Sequence, residues 1–178
     1  YYDISNILKT ESQYMILLGQ RANGKSYQAK LVALTNAYKN DRKFIYLRRW
    51  KEDIKTKAVE AYFADMKISK ITEGQYNGIV AWNGSIYFTI EDEKGETVKA
   101  KEIGKYCALN EYERYKSWAF VDYDYIIYEE FITDSIYLND EPRQLQQYLL
   151  CRPHRPLCKD CPVCFPCCSP LVCSQEGH

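Results

Sequence analysis

Eight consecutive residues, Gly19-Gln20-Arg21-Ala22-Asn23-Gly24-Lys25-Ser26, match the pattern G-x-x-x-x-G-K-[ST] at every fixed position. The chemistry such an octet can do is phosphate binding. Its glycines let the backbone curl so that amide N–H groups point inward at phosphate oxygens, while the lysine neutralises the β- and γ-phosphates and the hydroxyl holds Mg2+. Average residue frequencies produce the octet by chance in on the order of one chain in a few hundred. Tyr27 follows directly and belongs to the same segment.

A second candidate is the acidic pair Glu129-Glu130, placed after the apolar run Tyr125-Ile126-Ile127-Tyr128. Adjacent residues at a strand end face opposite ways, so one carboxylate can serve a metal while the other orients an attacking water. Both histidines, His154 and His178, lie beyond residue 150. The first 150 residues therefore cannot host a Ser-His-Asp triad, a Cys-His pair or a His-ligated zinc.

These groups need elements to position them. Tyr14-Met15-Ile16-Leu17-Leu18 ends at Gly19 and reads as a short buried strand. Small and apolar residues at Ala29, Leu31, Val32, Leu34, Ala37 and Tyr38 predict a helix from Lys25 to about Asn40, whose positive N-terminal end would point at the phosphate site. Phe44-Ile45-Tyr46-Leu47 predicts a second strand. Ile54, Ala58, Ala61, Tyr62 and Met66 predict a helix over 52–66. From 75 to 99 the pattern is strand-like. Asn83-Gly84 between two apolar runs predicts a hairpin, because a two-residue turn of this type needs positive φ at both positions.

The chain of 178 residues suffices for one domain with a substantial core. Formal net charge is zero, so a nucleic-acid contact must come from a local patch such as Arg48, Arg49 and Lys51. Seventeen tyrosines suit half-buried strands and interfaces. No apolar run approaches the roughly 18–20 residues that span a bilayer, and no signal-peptide pattern opens the chain. Tyr1 in place of Met predicts that the true start precedes it.

Composition changes abruptly near residue 150. Residues 1–150 hold one cysteine and one proline; residues 151–178 hold seven cysteines, five prolines and no tyrosine. Cys158, Cys161, Cys164 and Cys168 fit C-x2-C-x2-C-x3-C, a ferredoxin-like spacing, which reads as an iron–sulfur or zinc segment. Ser169, where such a run carries proline, and the lack of a second run weigh against it. A frame-shifted or spliced terminus explains the break as well, with residues 149–178 a disordered or aberrant tail. Under that reading residues 151–178 bind no stoichiometric iron.

In order, Gly19 to Tyr27, then Phe44-Ile45-Tyr46-Leu47-Arg48-Arg49-Trp50-Lys51, Lys116-Ser117, and Tyr125 to Phe131 resemble the genome-packaging (encapsidation) ATPases of small, short-tailed, protein-primed phages. The similarity runs from about Tyr1 to Gln147. It implies an α/β, RecA-like (ASCE-type) P-loop NTPase core with a β-hairpin insertion, over residues 1–148. It further implies an ATP-hydrolysing ring subunit, bound to the portal of a phage prohead, that drives double-stranded DNA inward. No membrane is involved; the setting is the cytoplasm of an infected bacterium, transiently on the prohead.

By this resemblance Gly19, Gln20, Arg21, Ala22, Asn23, Gly24, Lys25, Ser26 and Tyr27 bind ATP, and Ser26 and Glu129 hold Mg2+. Glu130 is the catalytic carboxylate, Arg21 sits near the γ-phosphate, and Lys116 reaches a neighbouring subunit's nucleotide. Arg48, Arg49 and Lys51 contact DNA. Such proteins continue with a helix carrying a trans-acting arginine, then a strand inserted between the phosphate-loop and acidic strands. Glu141-Pro142-Arg143 begins that helix, and the likeness then stops, so the core is expected to be truncated before its last strands. Two other readings stay open: a different ring NTPase such as a helicase or DNA pump, and a degenerate nucleotide domain with a metal-binding cysteine tail.

Overall fold

The computed structural model describes Ile4 and residues 14–19, 23–115, 123–132, 137–150 and 171–174. These build a mixed α/β fold around one seven-stranded sheet, ordered β1-β7-β6-β2-β5-β4-β3. The strands are β1 (Tyr14–Leu17), β2 (Lys43–Arg48), β3 (Gly78–Trp82), β4 (Ser85–Glu91), β5 (Thr97–Ala108), β6 (Tyr123–Glu129) and β7 (Leu171–Ser174). The helices are α1 (Lys25–Lys39), α2 (Thr56–Phe63), α3 (Ile68–Ile71), α4 (Tyr112–Tyr115) and α5 (Glu141–Leu150), with 3-10 turns at Lys51–Ile54 and Leu109–Glu111.

β2 lies at the centre because its residues can be buried on both faces, as a parallel strand requires. Period-two alternation sends Phe44 and Tyr46 into one core, with α1 and α2, and Ile45 and Leu47 into the other. On the first face α1 presents Ala29, Ala33, Leu34 and Ala37, all buried; the small side chains let the helix lie close to the sheet. The second face holds Cys107, Leu109, Tyr115, Tyr123, Ile126 and Tyr128, with Leu145 of α5 packed against them. β5 pairs parallel with β2, and Gly104 faces Phe44. A Cβ on Gly104 would lie 2.6 Å from the Phe44 carbonyl oxygen, so only glycine lets these two backbones approach this closely.

Beyond β5 the sheet turns antiparallel. β3 and β4 join through Asn83 and Gly84, whose φ values of 47° and 82° fit the two-residue turn. At the opposite side, β7 pairs parallel with both β1 and β6. Here the structure corrects the expectation of a core left open before its last strands. Leu171-Val172-Cys173-Ser174 occupies the slot between β1 and β6. Its backbone supplies the ladder partners that β1 and β6 would otherwise lack. The cysteine run Cys158–Cys168 lies outside the described residues; of the tail expected to be disordered or aberrant, 149–178, residues 149–150 end α5 and 171–174 form β7, and the others lie outside the described residues.

The registers place Leu17, Ser174 and Glu129 level with one another across three strands, and Leu47 level with Tyr128. The ends of β1, β6 and β2 therefore open on one edge of the sheet. In parallel α/β sheets this carboxyl edge is where ligands bind.

Candidate active site

At that edge Gly19 leaves β1, and Asn23 and Gly24 turn the chain into α1. Gly24 adopts φ 91°, ψ 9°, a left-handed conformation that glycine takes without strain, and its carbonyl accepts the Gln28 N–H at 3.0 Å. A Cβ on Gly19 would meet the Asn23 side chain at 2.6 Å, so the loop is drawn tight across its base. Lys25 is buried and its ammonium donates to the Gly19 carbonyl (3.1 Å) and to Asn23 Oδ1 (2.9 Å). The Lys25 N–H also leans on Asn23 Oδ1, at 3.4 Å. The loop's own acceptors thus hold the lysine at the mouth of the helix, where a phosphate would compete for it.

Glu129 shares the face of Ile127, which is the α1 side of the sheet. Glu129 is 5% exposed. Ser26 Oγ donates to Oε2 at 3.2 Å and Tyr62 donates to Oε1 at 2.8 Å. Burial, and then the neighbouring Glu129 charge, push the Tyr62 hydroxyl well above the ordinary tyrosine range, which keeps it a donor. Tyr46 stacks on Tyr62, centroids 4.4 Å apart, and burial raises its hydroxyl to about 12. A hydroxyl and a carboxylate are hard oxygen donors of the kind Mg2+ takes alongside substrate phosphates and water, so Ser26 and Glu129 fit that ion. Among the described residues no group of three or more His, Cys, Asp or Glu side chains is placed to hold a metal.

Glu130 leaves the sheet with φ 54°, an uncommon conformation for a non-glycine residue, and its side chain is largely exposed. It pairs with Arg48 at 2.5 Å. The next residue, Arg49, is buried instead. Its guanidinium donates to both Glu141 oxygens (2.8 and 3.0 Å) and to the carbonyls of Glu130 (3.1 Å) and Phe131 (2.5 Å). Tyr128 donates to the same Glu141 carboxylate. Burial alone would raise the Glu141 pKa, but the hydrogen bonds from Arg49 and Tyr128 and the Arg49 charge hold it below the usual carboxylate range. Arg49 therefore departs from its expected role at DNA: it is 4% exposed and spends its donors fixing the exit of β6 to α5.

The structure thus brings Gly19, Asn23, Gly24, Lys25, Ser26 and Glu129 together, with Glu130 and Arg48 at the same edge. Tyr27 packs against the core of the first face. Lys51 is exposed and bonded to Glu111 at 2.7 Å. Gln20, Arg21, Ala22 and Lys116 lie outside the described residues. Sequence reasoning missed Tyr62, read only as one apolar position of a helix, and the Arg48–Glu130 and Arg49–Glu141 pairs, which join residues far apart in the chain.

The family model described as Podovirus DNA encapsidation protein (Gp16) matches residues 1–151. The chain belongs to this encapsidation family. Solved structures share its fold. The N-terminal domain of the DNA packaging ATPase from bacteriophage phi29 superposes with a TM-score of 0.75 at 20% identity, covering 99% of this chain and 79% of that one. The bacteriophage Phi-29 viral genome packaging motor assembly gives 0.73 at 20% identity, over 100% of this chain and 47% of that one. The Phi-28 gp11 DNA packaging motor gives 0.66 at 18% identity, over 98% and 49%. The chain thus spans about half the length of the two motor proteins. No curated protein sequence matches it. Among the described residues no helix is long and apolar enough to cross a membrane.

Proposed function

We propose that this encapsidation protein is an ATP-hydrolysing subunit of a DNA-packaging motor, with a RecA-like P-loop core that binds ATP and Mg2+. The observation that carries the proposal is the meeting of Ser26 and Glu129 at 3.2 Å, across 103 residues of sequence, beside Lys25 at the start of α1. A loop motif alone binds phosphate; a loop motif whose hydroxyl faces a buried strand-end carboxylate has what nucleotide hydrolysis needs.

In this reading the triphosphate displaces Lys25 from Gly19 and Asn23 and takes its charge, together with the N–H groups of the first turn of α1. Ser26 and Glu129 would hold Mg2+, which would supply charge neutralisation to the phosphates. Glu130, more exposed than Glu129, aligns the attacking water and accepts its proton. Arg21 and Lys116 add positive charge at the transferring phosphoryl group, Lys116 from a neighbouring subunit of a homo-oligomeric ring. Arg48 and Lys51 remain candidates for the backbone of double-stranded DNA, whereas Arg49 is reassigned to the fold. The ring would act on the portal of a prohead, in the cytoplasm of the infected host.

Titration calorimetry of ATP in the presence of Mg2+ tests the reading. Lys25→Ala is expected to weaken binding by about 100-fold, the cost of losing charge-assisted contacts to phosphate worth roughly 1.5–3 kcal/mol together with the lysine's long-range charge. Unchanged affinity would remove the nucleotide site from Lys25.

A further inference from the structure

We infer that Tyr62 is a positioning residue for the metal-holding carboxylate, and the inference rests on the nucleotide reading above. No motif marks this tyrosine, and α2 contributes no residue to the phosphate loop. Yet its hydroxyl reaches Glu129 Oε1 at 2.8 Å, while the Ser26 hydroxyl takes Oε2 at 3.2 Å. The two oxygens of one buried carboxylate are held by hydroxyls from two different helices.

The phenol ring is itself fixed. It stacks on Tyr46 at an interplanar angle of 17°, meets Phe63 edge-on at 4.9 Å, and has the Lys30 ammonium 4.7 Å from its centroid. That ammonium also donates to the Tyr62 carbonyl at 2.7 Å and to Asp65 at 2.5 Å. Lys30 lies one helical turn beyond Ser26 on α1, so both project from the same side of the helix. α1 thus grips the C-terminal end of α2 with Lys30 and shares Glu129 with Tyr62 through Ser26. A lysine at a helix C-terminus is favoured there by the exposed carbonyls and the negative end of the dipole.

The consequence is geometric. A carboxylate with one oxygen anchored presents the other in a fixed direction, here toward Ser26 at the metal position. With Mg2+ held by Ser26 and Glu129, the Tyr62 bond to Oε1 would keep the carboxylate oriented without help from the Ser26 hydroxyl. Partners that orient a metal-holding group from behind act in this way, and their removal costs about 10–100-fold in metal affinity.

Tyr62→Phe removes the hydroxyl and keeps the stacked ring. With the full chain, we expect ADP affinity measured in EDTA to stay within about twofold of wild type. The Mg2+ concentration that half-maximally tightens ADP binding should rise about tenfold. In a Glu129→Gln background the same change should add nothing further, since the anchored group no longer serves the metal. An unchanged Mg2+ requirement beside normal wild-type binding overturns the inference alone. Melting of Tyr62→Phe below the assay temperature also overturns it, since the hydroxyl would then serve the fold. A wild-type chain that fails to bind ADP with or without Mg2+ overturns the nucleotide reading and this inference together.

Discussion

Arg48 and Arg49 are sequence neighbours whose side chains go to opposite sides of β2 and to different partners, Glu130 and Glu141. Glu129 and Glu130 differ instead in burial. Glu129 is buried beside Ser26 and Tyr62, whereas Glu130 turns out of the strand with positive φ and stays accessible. A group that aligns water must reach the solvent side of the phosphates, and a group that serves the metal must be fixed behind them. Glu130→Gln keeps the shape and hydrogen-bonding reach of the side chain but cannot accept a proton. We expect it to retain nucleotide affinity and to lose turnover by about 100-fold or more, as removal of a positioned general base does. Single-turnover hydrolysis alongside calorimetry checks this; near-normal hydrolysis would move the role to Glu129.

Among the elements, α5 is tied down at its first residue by the buried pair Arg49–Glu141, with Tyr128 and the Leu138 N–H also bonded to the carboxylate. Breaking one partner of such a pair leaves a buried charge uncompensated, so Glu141→Gln should destabilise the protein by about 3 kcal/mol in urea unfolding. The Glu141 pKa is depressed below 4.5 in the fold. Its stabilisation is therefore complete above that pH and is lost as pH falls through the folded value. Wild type should show this acid-side loss in melting temperature below about pH 4.5, and Glu141→Gln should show less of it; equal slopes would assign the acid sensitivity elsewhere. Elements differ in how plainly their residues announce them. β1, β2, α1 and the Asn83–Gly84 turn follow from local rules of period and positive φ. β5 does not, because Lys99, Lys101, Glu102 and Lys105 interrupt its apolar pattern, and burial concentrates on Ile103, Gly104, Cys107 and Ala108. The Arg49–Glu141 pair spans 92 residues, and no local pattern could foretell which of two arginines would be buried.

At the scale of the whole molecule, β1, which leads into Gly19, and β6, which ends at Glu129, are held in register by a strand that neither sequence period nor composition makes visible. Leu171–Ser174 follows twenty residues rich in cysteine and proline, and four residues are too few to show an alternation. Its place is nonetheless constrained: β1 and β6 each need a ladder partner, and β7 pairs with both. Val172 lies opposite Met15 on one side and Ile127 on the other. Proline at this position removes the N–H from a strand bonded on both sides and clashes with its neighbour, which costs about 3 kcal/mol or more in regular structure. We therefore expect Val172→Pro to lower the urea midpoint and to weaken Mg2+-dependent nucleotide binding together, because Leu17 and Glu129 are level only through Ser174. Replacing Cys161 and Cys164 by serine, within the ferredoxin-like run, should leave both measurements unchanged. A Val172→Pro variant as stable as wild type would show that β1 and β6 are joined without β7. A large loss in the double serine variant would transfer the tail's contribution from strand pairing to its thiols.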